Sequence, residues 1–139
     1  MLETIQLMGQ GFLHALTFIN LLAMAGGTAL GIVIGCLPGL SAAMGVALML
    51  PLTFTMPADT GLIVLGAIYC GAIFGGSISA ILIHTPGTPA SAATAIEGYQ
   101  MTLRGKAGKA LATACWSSFW GGLLSCISLY FFAPLLAQL

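Results

Sequence analysis

The residues that could do chemistry gather at two Pro-Gly breaks. One is Pro38-Gly39-Leu40-Ser41-Ala42-Ala43; the other is Pro86-Gly87-Thr88-Pro89-Ala90-Ser91-Ala92-Ala93. Each reads as an apolar helix, a break, a hydroxyl residue and a helix of small residues. Ser41 suits the N-cap of the helix after the first break. Thr88 suits the same role after the second, with Pro89 at the first helical position and Gly98 as the stop. A helix start exposes free N–H groups and the positive end of the helix dipole, which favour a carboxylate. Carbonyls released at such a break favour a cation. The expected substrate-binding set is therefore Pro38, Gly39, Ser41, Thr85, Pro86, Gly87, Thr88, Ser91 and Thr94. The competing reading makes both breaks plain tight turns at a membrane surface.

The titratable residues are few. His84 and Glu97 flank the second break and are the candidates for ion or proton coupling. Glu97 would lie near the end of a short helix, where the dipole disfavours it, and could pair with the basic loop that follows. Asp59 or Thr60 would cap the start of a long helix. A membrane enzyme would need a nucleophile with its base, or clustered metal ligands. Two distant histidines and three scattered acids supply neither. Cys36, Cys70, Cys115 and Cys126 form no CxxC pair and sit in apolar runs, so they read as small buried hydrophobes.

These residues must be positioned by helices in lipid. Of the 139 residues, 59% are hydrophobic and 4% are charged, against about 25% charged in a soluble domain. Six charged side chains cannot cover a soluble surface. Net charge is zero, which gives no sign of a nucleic-acid partner. The first charge is Glu3, unlike the basic start of a cleaved signal peptide.

The expected fold is an all-α integral membrane bundle, one unit over residues 1–139. Residues 2–17 place Glu3, Gln6, Gln10, His14 and Thr17 on one stripe of an amphipathic interfacial helix. Its apolar face, lacking the usual Lys and Arg opposite, could pack on protein instead of lipid. The bundle of 18–139 then holds long spans at about 18–37, 60–84 and 110–133, the last ended by Pro134. Residues 42–56 are too short for a span and read as a half-helix or re-entrant segment, with a short tilted span as the alternative. The half-helix after Thr88 is the second such element.

Small residues recur every fourth position: Ala23, Gly27, Gly31, Gly35; then Ala67, Gly71, Gly75, Ser79; then Thr113, Ser117, Gly121, Ser125. Such rows let helices approach closely in lipid. Tyr99, Trp116 and Tyr130 suit the interface or bundle packing. Arg104, Lys106 and Lys109 are the only basic side chains other than histidine, which puts the loop 98–109 in the cytoplasm and Asp59 outside. The side of the N-terminus depends on whether 42–56 crosses, and stays open.

At these residues the sequence resembles the TctA family, the large membrane subunit of tripartite tricarboxylate transporters. The matching stretches are Gly31–Leu40, Leu50–Phe54, Ile68–Thr94 with its Gly-Gly-Ser…Thr-Pro-Gly-Thr-Pro run, Glu97-Gly98-Tyr99 and Gly105–Ala110. His84 stands where the family commonly has Asn, Gln100 where it has Pro, and Ser41 where it has Gly. The resemblance implies a multi-pass permease subunit in the bacterial inner membrane. It would work with a small membrane subunit and a periplasmic solute-binding protein to import carboxylates. An ion gradient of Na+ or H+, without an organic cofactor, would drive uptake. The sequence has no GxxxxGK[ST] loop for ATP. The resemblance covers only the N-terminal part of such subunits, so the chain could be a piece of a larger permease. A structural or assembly subunit, or a small oligomeric channel, is the alternative.

Overall fold

A computed structural model describes residues 2–136. The helices are α1 (Leu2–Ala15), α2 (Phe18–Cys36), α3 (Ala42–Thr53), α4 (Ala58–Ile83), α5 (Ala92–Leu103) and α6 (Ala107–Leu136), with a single 3-10 turn over Pro89–Ser91. Among the described residues, three helices are long and apolar enough to cross a membrane: Phe18–Cys36, Ala58–Ile83 and Ala107–Tyr130. The all-helical membrane fold read from composition is the fold observed.

The organising contact is α2 against α4, and the small-residue rows make it. A Cβ on Gly27 would lie 3.0 Å from that of Ala67. One on Gly31 would strike the Ile68 carbonyl, and one on Gly35 the Ala72 carbonyl. From the other side, Gly71 faces Thr28 and Gly75 faces Ile32. Position numbers rise together on both helices, so α2 and α4 run parallel. Contact this close is possible because at each of these points one of the two helices offers a glycine. At the far end Cys36 Sγ reaches the Gly75 carbonyl at 3.5 Å. At the near end the buried Asn20 accepts a hydrogen bond from Thr60 Oγ1 at 2.8 Å and donates one to the His14 carbonyl, also at 2.8 Å.

Two parallel helices in sequence need a return path, and α3 supplies it. Gly45 near its start packs on Ile34 and Ile68, while Thr53 at its end packs on Gly61. Thus α3 runs antiparallel to α4, about 18 Å long at 1.5 Å per residue for its 12 residues. It is a half-helix as expected. Pro51 is carried inside its last turn, and Pro57 takes the N-cap position of α4. Ile34, Val64 and Ile68 form the core where α2, α3 and α4 meet.

Several local expectations are corrected. Asp59 and Thr60 do not cap α4; both lie in its first turn, after Pro57. Asp59 instead faces His14 Nδ1 at 3.6 Å. Gly98 does not stop α5. It lies inside the helix because a Cβ there would meet Ile81 Cγ1 at 2.7 Å. The true stop is Gly105, with φ of +73°. The Gly105 N–H donates to Thr102 O and the Lys106 N–H to Met101 O, both at 2.9 Å, a Schellman ending. Pro134 does not end α6, which continues to Leu136. Helix α1 ends at Ala15, and Phe12, Leu13 and Leu16 lie exposed rather than packed on the chain. Cys70, Cys115 and Cys126 face outward, and Cys36 is half-buried. In lipid an outward thiol among apolar side chains costs little.

Candidate functional site

The second break doubles back into the bundle. Helix α4 ends at Ile83, where His84 adopts left-handed backbone (φ 57°, ψ 21°) and turns the chain. Gly87 then packs against the Gly35 carbonyl, Gly76 Cα and Ser79 Oγ. Gly76 lies seven residues before Ile83, about 10 Å back from the helix end. Thr88 fills the notch left by Gly76, where a Cβ would sit 2.8 Å from Thr88 Oγ1. From there α5 climbs beside α4 towards the same end: Gly98 meets Ile81, and Thr102 Oγ1 donates to the Ile81 carbonyl at 2.7 Å. Residues 84–103 therefore form a re-entrant loop and half-helix.

The first break lies at the same level. Gly35, against which Gly87 rests, is separated from Leu37-Pro38-Gly39 only by Cys36. Gly39 makes the turn with φ of +93°, open to a strain-free left-handed conformation only because it lacks a Cβ. Ser41 then caps α3, its Oγ accepting from the Met44 N–H at 3.2 Å. That leaves the first-turn amides of Ala42 and Ala43 without an acceptor in their own helix. Helices α3 and α5 thus start near one level of α4 and run in opposite directions from it.

The expected site residues divide by exposure. Pro38, Gly39, Thr85 and Pro86 are exposed, and Ser41 and Thr94 half-buried. Thr85 Oγ1 donates to the Ile83 carbonyl at 3.3 Å. Gly87, Thr88 and Ser91 are buried. The Thr88 and Ser91 hydroxyls are engaged inside the turn: the Thr88 N–H donates to Ser91 Oγ at 3.3 Å, and Ser91 Oγ donates to the Thr88 carbonyl at 2.7 Å. Their observed work is to shape the loop. His84 is exposed and lies against Tyr99, ring centres 4.6 Å apart and planes tilted by 37°.

Glu97 is in the middle of α5, not near its end, because the helix passes Gly98. It forms no ion pair with the basic loop among the described residues. It opens instead into a groove of about 490 Å³ between α4, α5 and α6, shared with Ser77, Thr94, Thr113, Ser117 and Ser118. Three separated helices contribute, so no local motif announces this groove. Asn20 was likewise not singled out; its signal is an amide at the start of an apolar span. No group of three or more His, Cys, Asp or Glu among the described residues is placed to hold a metal.

From Cys115 to Tyr130 every residue of α6 is exposed, with Ser117 and Ser118 towards the groove. Trp116, Phe119, Leu124 and Leu129 are exposed, and the Trp116 and Phe119 rings meet edge to face. In the third small-residue row a Cβ on Gly121 would meet nothing within 4 Å, and neither would one on the adjacent Gly122.

Comparison with known proteins fits this geometry to a family. A protein of Agrobacterium vitis, described as an uncharacterised 52.8 kDa protein in the TAR-I ttuC′ 3′ region, is 46% identical over 138 residues. The match covers 99% of the present chain and 28% of that relative, so the chain spans less than a third of its length. No solved structure matches. The family model of the tripartite tricarboxylate transporter TctA family matches residues 21–139, from early α2 through both breaks to the last residue, and the chain belongs to that family.

Proposed function

We propose that this chain forms the N-terminal part of the permease subunit of a secondary, binding-protein-dependent transporter. It would import tricarboxylates or related carboxylates across the bacterial inner membrane. A small membrane subunit and a periplasmic solute-binding protein are its partners. The observation that carries this reading is the meeting of two half-helix starts at one level of α4, with Gly87 seated on Gly35. Irregular backbone is tolerated at membrane depth only where protein covers it or a watery cavity satisfies it. Two such starts supply positive dipole ends without a buried Lys or Arg. Ser41 and the free amides after it are the polar groups offered at the first break. Thr88 and Ser91 hold the second break in shape.

Orientation follows from the basic loop. Arg104 and Lys106 join α5 to α6, so that loop is cytoplasmic. Helix α4 then runs inward and α6 outward. Because α2 is parallel to α4, α1 and Asp59 share the periplasmic side.

The test is uptake of a labelled tricarboxylate by the complete reconstituted system carrying Gly39→Ala, Ser41→Ala or Pro38→Ala. Lower maximal uptake or a raised KM, at unchanged protein amount, is the expected result. Wild-type kinetics in all three would sink the site.

A further inference from the structure

All the Lys and Arg charge of the chain stands on one short stretch. Arg104, Lys106 and Lys109 are exposed, and none forms an ion pair among the described residues. Lys106 and Lys109 are neighbours at the start of α6, where the Lys109 N–H donates to the Lys106 carbonyl at 3.1 Å. The same helix face continues beneath them. Ala112, Trp116 and Phe119 follow Lys109 at three, seven and ten residues, the spacing of one face. With Cys115 they line an open apolar groove of about 440 Å³. The bundle lies on another side of α6, where Ala110 is buried. At 1.5 Å per residue the groove runs from about 5 to 15 Å below Lys109, the depth of one leaflet of a roughly 30 Å core. The small Ala112 leaves the opening, and the Trp116 and Phe119 rings, edge to face, flank it.

We propose that this face of α6 binds one anionic phospholipid, its phosphodiester held by Lys106 and Lys109 and one acyl chain lying in the groove. Charge decides the class of lipid. Each basic side chain at a membrane surface favours an anionic headgroup by about fivefold in affinity. A zwitterionic headgroup carries its own ammonium group, which the same lysines repel. The groove decides for a lipid over a soluble anion, which would leave the apolar wall uncovered. An acyl chain gains little by leaving other acyl chains, so the groove adds fit rather than driving force. It holds one lipid out of the diffuse layer that any basic loop attracts. This site shares no residue with the two breaks and does not depend on carboxylate transport.

Native mass spectrometry of the purified complete protein, released from nanodiscs of equal phosphatidylglycerol and phosphatidylethanolamine, tests the site. The expected result is one phosphatidylglycerol retained in preference to phosphatidylethanolamine. Lys106→Gln and Lys109→Gln should each lower that preference about fivefold. Ala112→Trp keeps every charge but fills the groove, and should remove the retained lipid. Ala112 is exposed, as are both lysines, so each variant should elute as the wild-type species on size exclusion. Excess glycerol phosphate, a headgroup without chains, should leave the lipid in place. Equal retention of the two lipids by the wild type overturns the proposal, whether another helix covers the groove or nothing does. Wild-type preference in Ala112→Trp would reduce the attraction to loose surface charge and overturn it too. The same holds for wild-type preference in the Lys106→Gln, Lys109→Gln double variant, or for displacement by glycerol phosphate.

Discussion

Gly87 rests on the carbonyl of Gly35, joining the second chain break to the end of the helix that precedes the first. The contact is backbone to backbone. A methyl group on Gly87 would overlap the Gly35 carbonyl and stand 3.1 Å from Gly76 Cα and 3.2 Å from Ser79 Oγ. None of these is the flexible end of a long side chain, so the loop must lift. Gly87→Ala should therefore destabilise the folded subunit by about 1–3 kcal/mol, the usual range for overpacking. Gly26→Ala, which meets nothing within 4 Å, is the matched control and should be neutral or slightly stabilising. Thermal unfolding in detergent, followed by tryptophan fluorescence or size exclusion, reads both.

Why this junction was only partly legible is a matter of locality. Pro38-Gly39-Leu40-Ser41 and Pro86-Gly87-Thr88-Pro89 announce breaks because their conformational limits act within a few residues. The row Gly27, Gly31, Gly35 announces a seam because its period is that of the helix. Neither says which helices share the seam or whether they run parallel. That depends on residues 42–53 starting at depth and returning, a tertiary fact with no local code. Gly98 shows the same ambiguity in miniature. A glycine admitting Ile81 and a glycine ending a helix look alike in sequence. Asp59 was misread because a carboxylate suits both the N-cap and the first turn, and Pro57 already held the former. The groove around Glu97 was invisible because Ser77, Thr94 and Ser117 come from three helices.

Ser41 should separate capping from binding. Removing its Oγ leaves the Met44 N–H unpaired and costs about 1 kcal/mol of stability. Ser41→Asp keeps the cap and adds a negative charge where the proposed substrate is negative. The expected outcome is that Ser41→Asp unfolds at or above the wild-type temperature yet loses most carboxylate uptake. Retained uptake in Ser41→Asp would place the substrate away from the first break.

His84 holds left-handed backbone (φ 57°) at the end of α4, a conformation costing most L-residues about 1–2 kcal/mol and Asn or Gly less. This gives a physical reason for the Asn common at the matching family position. His84→Asn and His84→Gly should be as stable as the wild type or more so, the lost Tyr99 contact offsetting part of the gain. His84→Val, β-branched, should be the least stable of the series. A series in which Val is tolerated as well as Gly would mean that the turn does not depend on this conformation. Uptake that survives His84→Asn would remove His84 from the ion-coupling candidates.

Parallel packing of α2 and α4 makes the side of the N-terminus a consequence of the basic loop. Thr60 Oγ1 bonds Asn20 and Asp59 faces His14, so the starts of α2 and α4 lie together at one end. Arg104 and Lys106 lie at the other, beyond Ile83. In a background with the four native cysteines replaced, single cysteines at His14 and Asp59 should react with a membrane-impermeant maleimide added to intact spheroplasts. A cysteine at Lys106 should react only after permeabilisation. Reaction at Lys106 from outside would invert the topology. Reaction at His14 and Asp59 from opposite sides would be fatal to the parallel pair itself. With it would go the return path through α3 that brings the two breaks to one depth.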